Sequence, residues 1–417
     1  MQITVQRSRL FGEVGAPPSK SYAQRALAGA LLAKGTTIIR NPSYSEDARA
    51  AIGIIKQLGA SVDEAGEEQI IKGGFNPKSQ KLDCGEAGLS LRMFSPIAAL
   101  ADQTMLMNGS GSLLKRPVQM ITDSLNQLGC RCQSQDGFLP VWIKGPLKSG
   151  KATIDGSISS QLLTGMLMAL PVIKGDSEIT VNNLQSLPYI DMTIHLLKQF
   201  GIKVTHNQYE VFHIPGKQKY RPTMLTIEGD WSGASFLLVA GSLAGEITVT
   251  GLQAESLQAD RQILRALGYA GAHVETGENY VKVRRNELRA FDFDATHCPD
   301  LFPPLVALAA HCTGISRIEG VGRLIHKESN RAKVLQEEFY KIGISMRVEN
   351  GNLYVTGPSL MKTGEVDSHG DHRIAMAAAT VAMIARTPVR IAGAECIAKS
   401  YPGFYQDIKK LGGRIDE

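Results

Sequence analysis

The 417-residue sequence contains no apolar run long enough to cross a membrane. Its first residues, Met1-Gln2-Ile3-Thr4-Val5, read as a short strand rather than the charged and then apolar stretch of a secretion signal. Aromatic residues make up only 6% of the chain, too few for a stacking surface that would hold single-stranded nucleic acid. The formal charge is +5, from 45 basic and 40 acidic residues, so no broad nucleic-acid surface is expected, although a local basic pocket is compatible with it. The six cysteines (84, 130, 132, 298, 312, 396) are scattered through a large chain and read as reduced thiols of a cytoplasmic protein. Cys130-x-Cys132 has no second cluster, and the neighbouring His369 and His372 lack further ligands, so no metal is expected. There is no G-x-G-x-x-G fingerprint. Gly145 to Lys151 matches G-x-x-x-x-G-K, but Ala152 replaces the magnesium-binding hydroxyl and Ala152-Thr153-Ile154-Asp155 has a strand pattern. The context of a nucleotide-binding loop is therefore missing, and no cofactor is expected.

What the chain does have is an internal period. A large apolar residue followed by glycine recurs as Leu58-Gly59, Leu128-Gly129, Phe200-Gly201, Leu267-Gly268, Ile342-Gly343 and Leu411-Gly412. The glycines are 70, 72, 67, 75 and 69 residues apart, and each reads as the end of a helix, most of them leading into a short strand such as Ser61-Val62-Asp63 or Lys203-Val204-Thr205. Each unit also opens alike, on a turn leading into a helix of small residues. These openings lie near Ser19-Lys20-Ser21, Gly85 to Gly88, Ser159-Ser160-Gln161, Asp230-Trp231-Ser232, Pro299-Asp300 and Gly370 to Arg373. The pattern predicts a mixed α/β fold built from six βαββαβ units. At this length two domains are expected, with three units each. The boundaries fall at 14–225 for one domain and at 1–13 plus 226–417 for a second, discontinuous one. With all units oriented alike, the first helices would aim their positive ends at one cleft between the domains.

The opening corner shows the chemistry. Pro17-Pro18 forces a turn, and Ser19 or Ser21 can cap the helix that follows. Ala23, Ala26, Leu27, Ala30 and Leu31 form one inward face. Lys20 and Arg25 then flank a helix N-terminus, where free N–H groups and the dipole favour a phosphate or carboxylate. Further basic residues recur at the other corners: Arg92, Arg116, Lys327, Arg331, Arg373 and Lys399. Any one of them could be an ordinary solvated surface charge; the recurrence argues for a shared anionic ligand. Asp300 reads as a helix-start carboxylate or as a general base, and Glu328 as an ion-pair member or a proton donor.

In order, Pro18-Ser19-Lys20-Ser21…Arg25-Ala26, Gly85-x-Ala87-Gly88…Arg92, Arg116-Pro117, Ser159-Ser160-Gln161, Ser186-x-Pro188-Tyr189-Ile190-Asp191, Pro299-Asp300, Lys327-Glu328-Ser329-x-Arg331, Gly370-Asp371-His372-Arg373 and Ala398-Lys399-Ser400 make the chain resemble, over its full length, the 5-enolpyruvylshikimate-3-phosphate (EPSP) synthase family of enolpyruvyl transferases. The resemblance implies two domains of three units in pseudo-threefold arrangement, an inside-out α/β barrel, acting as a monomer. It implies transfer of the enolpyruvyl group of phosphoenolpyruvate to the 5-hydroxyl of shikimate 3-phosphate without a metal, a shikimate-pathway step that is the target of glyphosate. By the same resemblance, Lys20, Ser21, Arg25, Ser159, Ser160, Gln161, Ser186, Asp300 and Lys327 would hold shikimate 3-phosphate. Lys20, Gly88, Arg116, Gln161, Arg331, Arg373 and Lys399 would hold phosphoenolpyruvate. Asp300 would be the base at the 5-hydroxyl, and Glu328 with Lys20 and His372 would handle the methylene proton.

Two positions depart from the family pattern. Glu86 and Leu89 stand where a Gly-Asn-Ala-Gly-Thr run is usual, which places a negative charge near an anion site. Ser110 and Ser112 occupy the stretch before Arg116 where some members carry an arginine. Two rival readings are the sister enzyme that acts on UDP-N-acetylglucosamine and a non-catalytic polyanion-binding repeat protein. The first often carries a cysteine in the loop matching Asn108 to Pro117, absent here, and the second would need a wider basic surface.

Overall fold

A computed structural model describes the backbone of all 417 residues and every side chain except that of His326. The chain forms two compact units, one of Lys20–Ile227 and one of Met1–Ser19 with Glu228–Glu417. Each unit carries three four-stranded sheets.

In the first unit the helices are α1 (Lys20–Leu32), α2 (Glu46–Gln57), α3 (Gly88–Ala98), α4 (Gln119–Gln127), α5 (Gln161–Ala169) and α6 (Leu187–Gln199). Its middle repeat shows the common plan. A leading strand, Lys81–Asp83, runs through α3 into Thr104–Asn108; α4 follows, and then the hairpin Arg131–Gln135 and Phe138–Lys144. The leading strand pairs in parallel with the strand after the first helix, which in turn pairs antiparallel with the far strand of the hairpin. Each unit of repeat is therefore βαβαββ, and the expected βαββαβ order is corrected in this detail. The helix-terminal glycine opens a hairpin, which needs only a tight turn such as Gly66-Glu67, whereas the parallel pair needs a helix to cross over. In the first repeat the leading strand, Met224–Thr226, comes from the other end of the unit and pairs with Gly35–Arg40.

The second unit repeats the plan with α7 (Trp231–Ala244), α8 (Ile263–Ala270), α9 (Phe302–Ala309), α10 (Arg331–Lys341), α11 (His372–Ala382) and α12 (Phe404–Lys410). The N-terminal segment supplies two strands to it. Leu10–Gly15 leads the first repeat, parallel to Gly245–Thr250, and Gln2–Gln6 completes the last sheet between Val389–Ala392 and Arg414–Asp416.

The first helix of each repeat is buried all round rather than on the one face expected for α1. Tyr22 to Leu31 are all buried, as is every residue of α3, α7, α9 and α11. These helices pack against one another and are covered by the sheets, so small residues on every side are what lets them fit. A Cβ on Gly165 of α5, for instance, would lie 2.5 Å from the carbonyl oxygen of Met93 in α3. The second helices keep an exposed face: α2 buries only Ala48, Ala51, Ile52, Ile54 and Ile55.

Five of the six helix-terminal glycines take a left-handed backbone, as at Gly59, Gly129, Gly201, Gly343 and Gly412. The exception is Gly268. It lies inside α8, and the chain leaves the helix at Gly271 (φ +83°), three residues later. The strand expected at Lys203 begins at Thr205, and the one expected over Ala152 to Asp155 spans Lys151–Asp155.

Candidate active site

The predicted residues fall in two clusters, one in each unit, at the starts of first helices and also around the starts of α6 and α10 and in the turns that hold Arg116 and Lys399. In Lys20–Ile227, three side-chain contacts tie the helix starts in a ring. Ser90 of α3 donates to Gln24 Oε1 of α1 at 2.9 Å, Arg92 of α3 to Gln161 Oε1 of α5 at 3.1 Å, and Arg25 of α1 to Thr164 Oγ1 of α5 at 3.4 Å. Ser19 sits just before α1 and is buried, so the capping position falls to it while Ser21 lies in the first turn.

Arg25 is buried, and its guanidinium also donates to Thr193 Oγ1 at 2.9 Å and to the Ser21 carbonyl at 2.8 Å. Burial lowers its pKa to about 10, offset in part by the phenol of Tyr189. Lys20 reaches Asp47 of α2 at 2.8 Å. Gly88, the first residue of α3, faces two guanidinium groups: a Cβ there would stand 2.7 Å from Arg116 Nη1 and 3.0 Å from Arg92 Nη1. The close approach of both guanidinium groups to this corner therefore depends on glycine. Glu86 is turned to the loop of Gly111 and Ser112, where its carboxylate accepts from the Ser112 N–H and hydroxyl, both at 2.9 Å. Ser112 in turn accepts from Arg116 at 3.3 Å. Leu89 is buried in α3. At the start of α5, Ser159 Oγ accepts from the Gln161 N–H at 3.1 Å and Ser160 is buried. Ser186 is buried ahead of α6 with a left-handed backbone, φ +58°.

The second cluster, in Glu228–Glu417, centres on Asp300. One carboxylate oxygen lies 3.1 Å from both Lys327 Nζ and Arg331 Nη1, and the other lies 3.1 Å from Arg373 Nη2. Burial would raise the Asp300 carboxyl, but Arg373, Lys327 and Arg331 outweigh it and hold the group well below the ordinary carboxylate range. Arg331 is itself fully buried. It reaches Glu328 at 2.6 Å and Asp371 at 2.9 Å, and these acids with Asp300 overcome its burial and raise its pKa. Burial lowers the pKa of Lys327, against the pull of Asp300.

Asp371 caps α11. It accepts from the Arg373 N–H, from Ser329 Oγ and twice from Arg331, so both oxygens are fully used. His372 is buried beside it, and Lys399 donates to the Gly370 carbonyl at 2.7 Å. The cluster has nearly equal numbers of acids and bases, so its buried and partly buried charges offset one another.

The sequence reading did not find Asp47, Thr164, Thr193 or Asp260. Asp260 is buried, takes a hydrogen bond from Ser232 in the first turn of α7, and feels Asp300 and Arg373. Its signal in sequence was weak, because it lies in a short 3-10 turn rather than at a repeated helix start. Asp371 was legible only as part of a motif; as an acid directly before a helix it could have been read as a cap.

The fold belongs to the enolpyruvyl transferase class. The structure of EPSP synthase from Acinetobacter baumannii superposes with a TM-score of 0.84 at 24% identity, covering 100% of both chains. That of the enolpyruvyl transferase NikO from Streptomyces tendae superposes with a TM-score of 0.80 at 19% identity, covering 99% of this chain and 98% of that one. The family described as EPSP synthase (3-phosphoshikimate 1-carboxyvinyltransferase) matches residues 5–408. A 3-phosphoshikimate 1-carboxyvinyltransferase of Clostridium kluyveri is 39% identical over 418 residues, 100% of this chain and 98% of that protein. One of Methanocorpusculum labreanum is 37% identical, with 100% of both covered. The chain is thus a member of the EPSP synthase family.

Proposed function

We propose that the protein transfers the enolpyruvyl group of phosphoenolpyruvate to the 5-hydroxyl of shikimate 3-phosphate, releasing phosphate. The observation that carries this reading is Asp300, a partly buried carboxylate held by three cations in a chain that matches the family over residues 5–408. The work divides between the two clusters. Lys20, Ser21, Arg25, Ser159, Ser160, Gln161 and Ser186, with Asp300 and Lys327, hold shikimate 3-phosphate. Lys20, Gly88, Arg116, Gln161, Arg331, Arg373 and Lys399 hold phosphoenolpyruvate, whose charges the guanidinium forks match.

Without substrate, Asp300 is a poor base because its cations hold it ionised. An arriving anion competes for Lys327, Arg331 and Arg373, and their hold on Asp300 weakens, which restores its basicity where it is needed. Asp300 then takes the proton of the 5-hydroxyl as the oxygen bonds to C2 of phosphoenolpyruvate. The methylene carbon gains a proton, a role assigned to Glu328, Lys20 and His372, giving a tetrahedral phosphate adduct. Loss of that proton and of phosphate leaves the enol ether. No metal is needed for this account, since the cations at both clusters neutralise the substrates.

The test is phosphate release with each substrate alone and with both. Release is expected only when both are present, and activity with UDP-N-acetylglucosamine in place of shikimate 3-phosphate would overturn the assignment. Lys20→Met removes a charge that the reading assigns to both substrates and should abolish turnover.

A further inference from the structure

Away from these clusters, at the opposite end of the helices in the same unit, five arginines line one cavity of about 700 Å³: Arg7, Arg9, Arg284, Arg285 and Arg414. Ala244, the last residue of α7, and Ile384, just past α11, form part of its wall. Since α7 has 14 residues, the cavity lies about 20 Å from the Asp230 end of that helix.

The arginines are carried on a backbone that is tied down. The turn Arg7-Ser8-Arg9 links Gln2–Gln6 in one sheet to Leu10–Gly15 in another. The Ser8 N–H donates to the Met383 carbonyl at 2.8 Å, and Ser8 Oγ donates to the Gln6 carbonyl at 2.8 Å and accepts from the Arg414 N–H at 2.9 Å. The Arg285 N–H donates to the Gly245 carbonyl at 2.7 Å, and Arg284 pairs across the sheet with Glu246. Glu246 is the single acid on the wall, and its carboxylate lies 2.7 Å from Lys282.

Arginines beside helix C-termini have an ordinary use, which is to donate to the last carbonyls. Here none of the five guanidinium groups makes a hydrogen bond or a close ion pair with a described residue, and only Arg284 has an acid near it, Glu246, whose pKa it helps Lys282 to lower. Arg9 lies instead over the ring of Phe11, 4.6 Å from its centroid, with Phe11 itself half exposed. All five are exposed, so water and salt screen them in part, but five like charges against the single acid Glu246 leave a net positive wall that favours an anion.

We propose that this cavity is a binding site for a compact diphosphate, free or esterified, distinct from the catalytic clusters. A diphosphate brings a charge of roughly −3 to −4, counting about −1.5 to −2 for each phosphate, and offers acceptors for several guanidinium forks at once. A single carboxylate could satisfy two of the five at most, which is why the ligand is assigned as polyvalent.

The experiment is calorimetric titration of the whole protein with inorganic pyrophosphate, and in a second arm with ADP, at ionic strength fixed with potassium chloride. The comparison is with Arg9→Gln/Arg284→Gln, both exposed positions outside the catalytic machinery. The wild type is expected to show a diphosphate site that the double variant loses or binds at least 10-fold more weakly, with kcat/KM for enolpyruvyl transfer unchanged. Stronger binding of pyrophosphate than of ADP assigns a free ligand, and the reverse an esterified one. Identical isotherms for wild type and variant in both arms overturn the proposal, because any binding then belongs to the catalytic clusters. Should the first pair prove unstable, Arg7→Gln/Arg414→Gln removes two other charges and must give the same result.

Discussion

Asp260, which is buried, and Asp300, which is partly buried, are carboxyls of one unit whose surroundings drive them in opposite directions. Asp300 sits among three cations and is held well below the usual carboxylate range. Its contribution to stability is present above the unfolded value of about 3.9 and is lost as pH falls through the lower folded value. Asp260 is pushed up to about 7, first by burial and then by the charge of Asp300, against Arg373 and the Ser232 hydroxyl. For a raised carboxyl the sign reverses: stability is fully present below the unfolded value of about 3.9 and is lost as pH rises through about 7. Asp260→Asn removes this titration. Thermal unfolding between pH 5 and pH 8 is therefore expected to vary less with pH in the variant than in the wild type. An unchanged pH profile would show that Asp260 carries its charge at no cost. For Asp300→Asn the expectation is kinetic. Loss of the base should lower kcat about 100-fold to 10,000-fold, in the range of general base catalysis. Any rise in KM for shikimate 3-phosphate, which Asp300 helps to hold, should be far smaller than the fall in kcat, since Lys327, Arg331 and Arg373 also lose the carboxylate that competes for them. A rise in KM with kcat unchanged would make Asp300 a binding group only.

At the scale of helices, small residues decide how near the first helices approach. Gly165 is the sharpest case, since any Cβ would run into the backbone of α3 rather than a flexible side chain. Gly165→Ala is expected to destabilise the protein by about 1–3 kcal/mol, the usual cost of overpacking, measurable by denaturant unfolding. A neutral effect would show that α5 can shift away from α3 freely. Much of this level was legible from the chain. The 70-residue period came from glycines that do end helices, because a left-handed residue at a helix end is a local requirement that sequence records directly. The fourth repeat was misplaced by three residues, since Gly268 fits inside α8 with nothing near its Cβ and Gly271 performs the same turn. The burial of α1 on every side was not legible, because its Ala and Gly positions look like a weak amphipathic pattern until the neighbouring helices are known. The site followed the same division. Residues at helix starts were found by position, whereas Asp47, Thr193 and Asp260 meet their partners through contacts between elements distant in sequence, which no local pattern encodes.

For the whole molecule, the cysteines offer a readout of how the two cores respond to denaturant. All six are free and buried. Burial raises every one of these thiols, to about 11 at Cys130 and about 12 at Cys132, Cys312 and Cys396, with Cys84 and Cys298 also well above the ordinary thiol value. Only the thiolate reacts readily, so a disulfide reagent at pH 8 should label none of them in the native protein and all six after unfolding. Cys84, Cys130 and Cys132 belong to Lys20–Ile227, and Cys298, Cys312 and Cys396 to the other unit. Lys20–Ile227 has a hydrophobic cluster drawn entirely from its own residues, from Tyr22 to Ile227. A unit with its own core can unfold by itself. Labelling against denaturant is accordingly expected to rise in two steps of three thiols, with the sites modified at each step read by mass spectrometry. A single step of six would mean that the two cores melt as one cooperative body, and the two-core account of stability would be wrong.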